Sequence, residues 1–426
     1  MRVCTTYGSP VPLRKGAEMH EVRLDVFDEV PPGLGPESVV TLCGKDPSLV
    51  PEGFQGLVDV GESDVLRGRR RIRSFHDFSR TPSSEEIVSM LSSGDQEVSK
   101  GAFAAGSFAD LCSILDASRA LGRRHVLLGM GEIGMVTRIR QSVLGNEFTF
   151  GYQGEPTAPG QLSAEEMESL GDGCEIVGIV GHPLSHTRSP VMQEAAMRAA
   201  GINGRYLVFD SPDLDRFEDF VRGYGVRGVN VTIPYKRDVI DQIDSLSSTA
   251  EAVGAVNTVV NSGGRLEGFN TDVTGVVRTL EGCPLREWKA LVMGSGGAAR
   301  SAVYALSDAG SEVHVSGRNR DAVKRLCHEF GAHAHSGGTE GFDLVVNCTP
   351  VGLVEGIYPS DVSSLRPEQH VFDMVYGRST SLLDLARSRG CPAKDGTDML
   401  VAQGAESFRL WFGRDPDVRA MREAVL

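Results

Sequence analysis

The sequence predicts an α/β fold in three units: a compact (β/α)8 barrel followed by two further α/β domains. Three observations predict it. Eight short apolar segments recur at fairly regular spacing through residues 1–170. After a glycine-rich break the chain alternates strand-like and helix-like segments to its C-terminus. The 51 glycines are in excess, and many fall at strand ends, where α/β proteins place their sites. At ~100–200 residues per domain, 426 residues make two or three domains, each with a core of its own.

The first unit begins with candidate strands Arg2–Thr5, Glu21–Asp25, Val39–Cys43 and Gly56–Val60. It continues with Arg71–Phe75, Glu97–Lys100, His125–Gly129 and Phe148–Gly151. Helices are expected over Ser83–Ser92 and Phe108–Leu121. Eight strands with interspersed helices point to a barrel. Such barrels usually take ~200–250 residues, and this segment ends near Ser169. Between the second and fifth strands the connections are short and rich in Pro and Gly, so several outer helices should be truncated or missing.

A boundary follows. Ser163–Leu170 carries a capping box, Ser163 with Glu166, and runs into Gly171–Asp172–Gly173. The pattern restarts with the strand Glu175–Val180 and again with Lys289–Met293. The last helix, Leu400–Gly413, is expected to pack back on the middle unit. The expected domains are 1–170, then 175–280 with 397–426, and 285–396. There is no internal repeat and no low-complexity stretch.

Composition excludes several classes. Lys and Arg number 43 against 57 Asp and Glu, a formal net charge of −14. That balance argues against a nucleic-acid groove or a polybasic membrane patch. No apolar run approaches the ~20 residues that span a bilayer, and the start lacks a signal-peptide core. The eight cysteines form no CxxC pair and no zinc spacing, so reduced thiols, no metal and a cytoplasmic location are expected.

Lys289–Met293 reads as a buried strand that runs into Gly294–Ser295–Gly296–Gly297–Ala298–Ala299 and the helix Arg300–Asp308. Glycines let the backbone approach a pyrophosphate, and a helix N-terminus favours the anion. The next strand, Glu312–Ser316, supplies the context that a lone glycine loop lacks and makes this unit Rossmann-type. It ends in Ser316–Gly317–Arg318–Asn319–Arg320. An NAD site usually has Asp or Glu here, on the ribose 2′-hydroxyl. Arginines suit the extra phosphate of NADP. The expected cofactor is NADP, held by Gly294, Ser295, Gly296, Gly297, Ala298, Arg318, Asn319 and Arg320. A solvated charge cluster at a helix start is the alternative reading of the arginines.

Three segments of the middle unit place polar groups just beyond apolar strands. They are Gly181–Pro190 (GHPLSHTRSP), Gly228–Lys236 (GVNVTIPYK), and Gly254–Thr258 with Gly268–Asp272 (GAVNT, GFNTD). Together with NCTPVG at 347–352, DMVY at 373–376 and DGTDMLVAQG at 395–404, they resemble shikimate dehydrogenase from about Glu175 to the C-terminus. The resemblance implies Lys236 and Asp272 as the catalytic pair. A lysine ammonium can protonate the alkoxide left by hydride addition, and a carboxylate can orient that lysine. It implies Thr187 and Ser189 on the substrate carboxylate; Thr187 is Ser in the common pattern and keeps the hydroxyl. Thr232, Asn257, Asp272, Tyr376 and Gln403 would hold the ring hydroxyls. The family uses NADP, in agreement with the arginines.

In the first unit, Ser74–Pro82 (SFHDFSRTP) puts His76 at a strand's C-terminal end, where barrel catalysts sit. The next strand ends in Lys100. A partly desolvated lysine has a lowered pKa and can form a Schiff base with a ketone. A histidine can shuttle protons beside it. With Glu21–Asp25 (EVRLD) and Ala158–Gln161 (APGQ), these segments resemble type I 3-dehydroquinate dehydratase across Met1–Ser169. The resemblance implies Lys100 as the Schiff-base lysine, His76 as general acid and base, and Glu21, Arg23, Arg138, Thr157 and Gln161 on the substrate. Two departures stand out. The family's arginine aligns with Cys43, where Lys45 could supply the charge, and the glutamate that orients the histidine aligns with Gly61. Glu62 should face the other way if its strand continues.

The resemblances imply a bifunctional enzyme, from 3-dehydroquinate to 3-dehydroshikimate and then, with NADPH, to shikimate. Three alternatives stay open: a dehydrogenase with an inactive barrel, an NAD-preferring quinate oxidiser, and a metabolite sensor. The partners implied are small molecules, with neither nucleic acid nor membrane, and a homodimer is the assembly considered.

Overall fold

The computed structural model describes every residue except 159, 186 and 352–356. Pro159, His186 and Gly352 of the motifs above therefore lie outside the described residues. The chain divides into two compact units, residues 1–184 with 203–226, and residues 185–202 with 227–426.

The first unit opens with eight strands: β1 Val3–Tyr7, β2 Met19–Arg23, β3 Val39–Thr41, β4 Leu57–Asp59, β5 Arg71–Asp77, β6 Val98–Ala104, β7 His125–Met130 and β8 Thr149–Gln153. Each pairs parallel with its chain neighbour from β1 to β7, and β8 returns beside β1 with Val3 opposite Thr149. Between β7 and β8 the ladder shrinks to the bridge His125–Asn146. The Asn146 amide takes over there, accepting from the Leu127 N–H at 2.7 Å and donating to its carbonyl at 2.9 Å. The result is a nearly closed barrel.

Helices Ser84–Ser92, Phe108–Ala120, Met135–Ile139 and Ala164–Leu170 follow β5, β6, β7 and β8. The first and last carry capping boxes, the last being the predicted Ser163–Glu166 pair. Among the described residues no α-helix lies between β1 and β5, only the single turn Pro47–Leu49. This is how the barrel fits its short length.

Side chains alternate along each strand. Cys4, Met19, Val39, Leu57, Ile72, Val98, Val126 and Phe148 therefore share one buried cluster. Two residues further along the strands stand Thr6, Glu21, Thr41, Asp59, Ser74 and Lys100. A polar layer thus sits on an apolar one.

The same unit includes β9 Glu175–Gly181 and β10 Gly204–Asp210, paired parallel. Phe108 of the barrel packs against Phe217 and Phe220, and Phe220 packs in turn on Phe209 and Tyr224. The Tyr224 hydroxyl donates to the Leu111 carbonyl at 2.8 Å. This aromatic cluster explains why residues 203–226 belong with the barrel.

In the second unit β11 Gly228–Val231 and β13 Thr258–Ser262 are antiparallel, as are β13 and β14 Arg265–Phe269. The short β12 Ser245–Leu246 lies parallel to β14. A second, all-parallel sheet contains β15 Lys289–Met293, β16 Glu312–Ser316, β17 His333–Ala334, β18 Leu344–Asn347, β19 His370–Asp373 and β20 Ala393–Lys394. Its order is β17-β16-β15-β18-β19-β20, so the chain reverses direction across the sheet at β15. Ala290 and Val292 join one buried cluster while Leu291 and Met293 join another, as a strand covered on both faces requires.

Two helices begin three residues earlier than the sequence reading has them. The helix expected over Arg300–Asp308 already starts at Gly297. The one expected over Leu400–Gly413 spans Thr397–Phe412, and Gly413 stops it with φ near +64°. It packs on the helix Asp272–Thr279, as expected of it; a Cβ at Gly275 would lie 2.9 Å from Met399. A last helix, Val418–Val425, was not expected. No helix among the described residues is long and apolar enough to cross a membrane.

Candidate active sites

The barrel's polar layer brings Lys100 between two carboxylates. Its Nζ lies 3.1 Å from Asp59 Oδ2 and 4.0 Å from Glu21 Oε1, and 4.5 Å from the centre of the Phe150 ring. Asp59 is fixed by the Ser74 hydroxyl at 2.6 Å and the Gly61 N–H at 3.0 Å. Glu21 accepts from the Thr6 and Thr41 hydroxyls at 2.6 and 2.7 Å. Lys100, Asp59 and Glu21 are all buried.

The sequence reading expected burial to lower the Lys100 pKa. Burial does push it down, but the charges of Asp59 and Glu21 together outweigh burial, and the net shift is upward. Lys100 therefore rests as an ammonium. The Asp59 carboxyl is held below its usual range; burial opposes this, and Lys100 and the Ser74 and Gly61 hydrogen bonds prevail. Asp59 was missed. Its signal was a carboxylate closing the apolar strand Leu57–Val58–Asp59.

His76, one residue before the C-terminal end of β5, is exposed to solvent. Burial of its ring and the Lys100 charge push its imidazole pKa down, so it rests neutral. It stacks on Phe78 with ring centres 6.1 Å apart. β4 ends at Asp59, and Gly61 turns with φ near +62°. The strand therefore does not continue to Glu62, and Gly61 supplies no carboxylate to His76. Cys43 stands where the resemblance implies an arginine. The residue is exposed, with φ near +50°; partial burial of the thiol, and then its bond to Asp25, push its pKa up to about 11. Asp25 in turn holds Arg23 through two bonds of 3.1 and 2.7 Å. Lys45 is exposed.

Arg138, on the short helix after β7, is 3% exposed. Its Nε has no hydrogen-bond partner among the described residues. Burial alone pushes its pKa down to about 10. A buried guanidinium without a counter-charge is costly, and it suits an incoming anion. The Thr157 N–H and hydroxyl both donate to Gln161 Oε1 at 2.9 Å. That loop abuts the one leading to Arg138: a Cβ at Gly160 would fall 2.2 Å from the Gly131 carbonyl oxygen.

In the second unit Lys236 and Asp272 meet at 2.5 Å, their side chains 14% and 6% exposed. Asp272 opens its helix; Lys236 follows β11 after the turn closed by the Tyr235 N–H on the Thr232 carbonyl, 2.9 Å. Asn257 donates to Asp272 Oδ1 at 2.8 Å and to the Thr271 hydroxyl at 2.9 Å. Gln403 Oε1 lies 3.5 Å from the same amide. The Tyr376 hydroxyl bonds the Thr187 side chain, and burial pushes the phenol pKa up. The Ser189 N–H donates to Thr187 Oγ1 at 3.3 Å. Thr232 is half-buried, and no side-chain bond joins it to the Lys236–Asp272 pair among the described residues. Cys348 sits by Asp373, Asp272 and Lys236, but burial raises its thiol pKa and keeps it inert.

The glycine loop fits a dinucleotide. Gly294 has φ near +129°, and a Cβ there would meet the Cys348 carbonyl at 3.3 Å. A Cβ at Gly296 would meet nothing, which leaves room for a ligand. The helix from Gly297 to Asp308 has no side-chain cap, so its first N–H groups remain available. A Cβ at Gly297 would lie 3.0 Å from the Lys236 stem, so the loop and the lysine adjoin. Gly294 N–H donates to the Ser316 carbonyl at 2.8 Å, which brings the end of β16 beside the loop. Arg318 and Arg320 are exposed, with no ion pair among the described residues. Asn319 caps the helix Arg320–Phe330 by accepting from the Ala322 N–H at 3.0 Å. Ser295 of the loop and Ala298 in the first turn of the helix are half-buried.

Three family models match the chain: "Type I 3-dehydroquinase" over residues 60–171, "Shikimate dehydrogenase substrate binding domain" over 179–259, and "Shikimate 5'-dehydrogenase C-terminal domain" over 396–426. The NADP(+) shikimate dehydrogenase of Methanopyrus kandleri is 39% identical, over 59% of this chain and 94% of its own length. That of Symbiobacterium thermophilum is 40% identical, over 62% and 98%. The solved shikimate 5-dehydrogenase of Thermus thermophilus, in complex with NADP(H) and shikimate, is 37% identical with a TM-score of 0.55. It covers 59% of this chain and 98% of its own.

Proposed function

The chain belongs to the shikimate dehydrogenase family and carries a type I 3-dehydroquinase domain ahead of it, and from that premise we propose how its residues divide two consecutive reactions. It is a bifunctional shikimate-pathway enzyme with NADP as cofactor. Residues 1–170 would carry the dehydratase, 175–280 with 397–426 the shikimate site, and 285–396 the NADP site.

In the barrel, Arg138 takes the carboxylate of 3-dehydroquinate, with Arg23, Glu21, Thr157 and Gln161 on its other polar groups. The Lys100 ammonium and the ring ketone condense to an iminium and one water, with no net gain or loss of protons. His76, neutral at rest, removes the proton from the carbon next to the iminium. The ring hydroxyl then leaves as water with that proton. Hydrolysis by a second water frees 3-dehydroshikimate and restores Lys100.

In the second site Thr187 and Ser189 bind the product's carboxylate, and Thr232, Asn257, Tyr376 and Gln403 its hydroxyls. When bound, NADPH supplies the hydride; Gly294, Ser295, Gly296, Gly297 and Ala298 would hold its pyrophosphate, and Arg318, Asn319 and Arg320 its 2′-phosphate. Lys236, held by Asp272, donates the proton to the ring oxygen as the ketone becomes an alcohol. A cytoplasmic location, action on small molecules without nucleic acid, and a homodimer complete the reading; free cysteines and the charge of −14 support the first two.

The observation that carries the reading is two separate ammonium–carboxylate sites in one chain, Lys100 with Asp59 and Lys236 with Asp272. The test follows enone absorbance with 3-dehydroquinate and no nicotinamide. A rise, abolished by borohydride pretreatment with substrate, is expected. A flat trace from protein that still oxidises NADPH with 3-dehydroshikimate would favour a dehydrogenase on an inactive barrel, the reading to which Cys43 and Gly61 lend weight.

A further inference from the structure

Arg300 lies on the helix that opens from the glycine loop, and the residue is 8% exposed. It is engaged on three sides. Nε donates to the Val253 carbonyl at 2.6 Å, an Nη meets the Glu329 carboxylate at 2.5 Å, and the group lies 5.2 Å from the centre of the Phe330 ring. Val253 ends a helix that Gly254 terminates with φ near +63°. A Cβ at Gly254 would lie 2.7 Å from the guanidinium, so only glycine leaves room for it.

The turn so held feeds the dehydrogenase pair. Two residues on, the Val256 N–H donates to the Lys236 carbonyl at 2.7 Å; Asn257 then donates to Asp272 Oδ1 at 2.8 Å. The next residue on the helix repeats the design. The Ser301 hydroxyl donates to Asn270 Oδ1 at 3.1 Å, and the Asn270 amide donates to the Ala255 carbonyl at 2.9 Å. Asn270 sits two positions before Asp272. One face of the cofactor-side helix thus grips both turns that carry the acid–base pair.

We propose that Arg300 is a positioning residue of the dehydrogenase: it clamps the Gly254 turn to the glycine-loop helix and so sets the spacing between the dinucleotide cradle and Lys236–Asp272. The inference rests on the dehydrogenase reading above. Spacing matters because a misplacement of ~1 Å costs about 100-fold in a transfer step. Arg300 touches neither substrate nor cofactor in this role.

The test is Arg300→Lys in the full chain, which keeps the charge and loses the planar fork. We expect kcat for 3-dehydroshikimate reduction to fall about 10-fold, with both KM values within about twofold. The deuterium isotope effect from NADPH labelled at the transferring carbon should rise. Without cofactor, amide hydrogen exchange should quicken at residues 254–257 and stay unchanged in β18 and β19. Dehydratase activity of the same sample serves as the folding control. Unchanged kcat, isotope effect and local exchange would overturn the proposal, as would exchange quickened throughout the unit. Should Arg300→Lys fail to fold, Glu329→Gln releases the clamp from its outer side and is read the same way, with a smaller effect. If the unsubstituted chain fails to oxidise NADPH with 3-dehydroshikimate, the dehydrogenase reading falls first. Unchanged exchange in a folded variant sinks the clamp alone.

Discussion

Lys100 and Asp59 stand 3.1 Å apart inside the barrel, 41 residues apart in the chain, and their contact keeps a buried lysine charged. The lysine's folded pKa lies above its ordinary value, so its contribution to stability is full below about pH 10.4 and is lost as pH rises through the folded value. The Asp59 pKa is depressed, so its contribution holds above about pH 3.9 and is lost as pH falls through the folded value. In Asp59→Asn, Glu21 is the main charge left to offset burial. The acidic limb of dehydratase kcat/KM against pH should then move to lower pH, and urea unfolding should show a loss of about 3 kcal/mol. A limb that stays in place would contradict this account of the lysine.

Arg138 presents the opposite balance, a buried charge with no partner for its Nε among the described residues. Arg138→Met should raise KM for 3-dehydroquinate by about 10- to 100-fold, as loss of a charge-assisted pair predicts. The substrate-free protein should be as stable or about 1 kcal/mol more stable, because an uncompensated charge is gone. Thermal unfolding with and without substrate reads both effects.

The resemblance implies a glutamate where Gly61 stands, yet Gly61→Glu should not raise the dehydratase rate. The position has φ near +62°, which costs a side-chain residue about 1–2 kcal/mol. Steady-state rates and a denaturant midpoint check this; a faster enzyme would show that the loop can rearrange.

Arg318 is exposed beside the glycine loop and bears no ion pair among the described residues. Arg318→Ser should weaken NADPH by about 10- to 100-fold, the worth of a charged hydrogen bond, and leave NADH nearly unchanged. The ratio of kcat/KM for the two cofactors measures it directly.

Much of this molecule was legible in the chain. All eight barrel strands lie where short apolar runs put them, and the missing helices between β1 and β5 follow from Pro- and Gly-rich connections too short to hold them. The strand, glycine loop and second strand at 289–316 were readable because each is specified within a few residues. Asp59 escaped notice since one carboxylate at a strand end looks like any other. Arg300 escaped because its partners, Val253 and Glu329, come from separate stretches of chain.

By itself the sequence determined the elements, their order and the chemistry each strand end offers, because periodicity, turns and glycine geometry are local. Only the tertiary structure decided the charge on Lys100, the burial of the Arg138 guanidinium and the clamp at Gly254. A pKa or a buried contact is a sum over neighbours in space, and β2, β4 and β6 become neighbours only when the barrel closes.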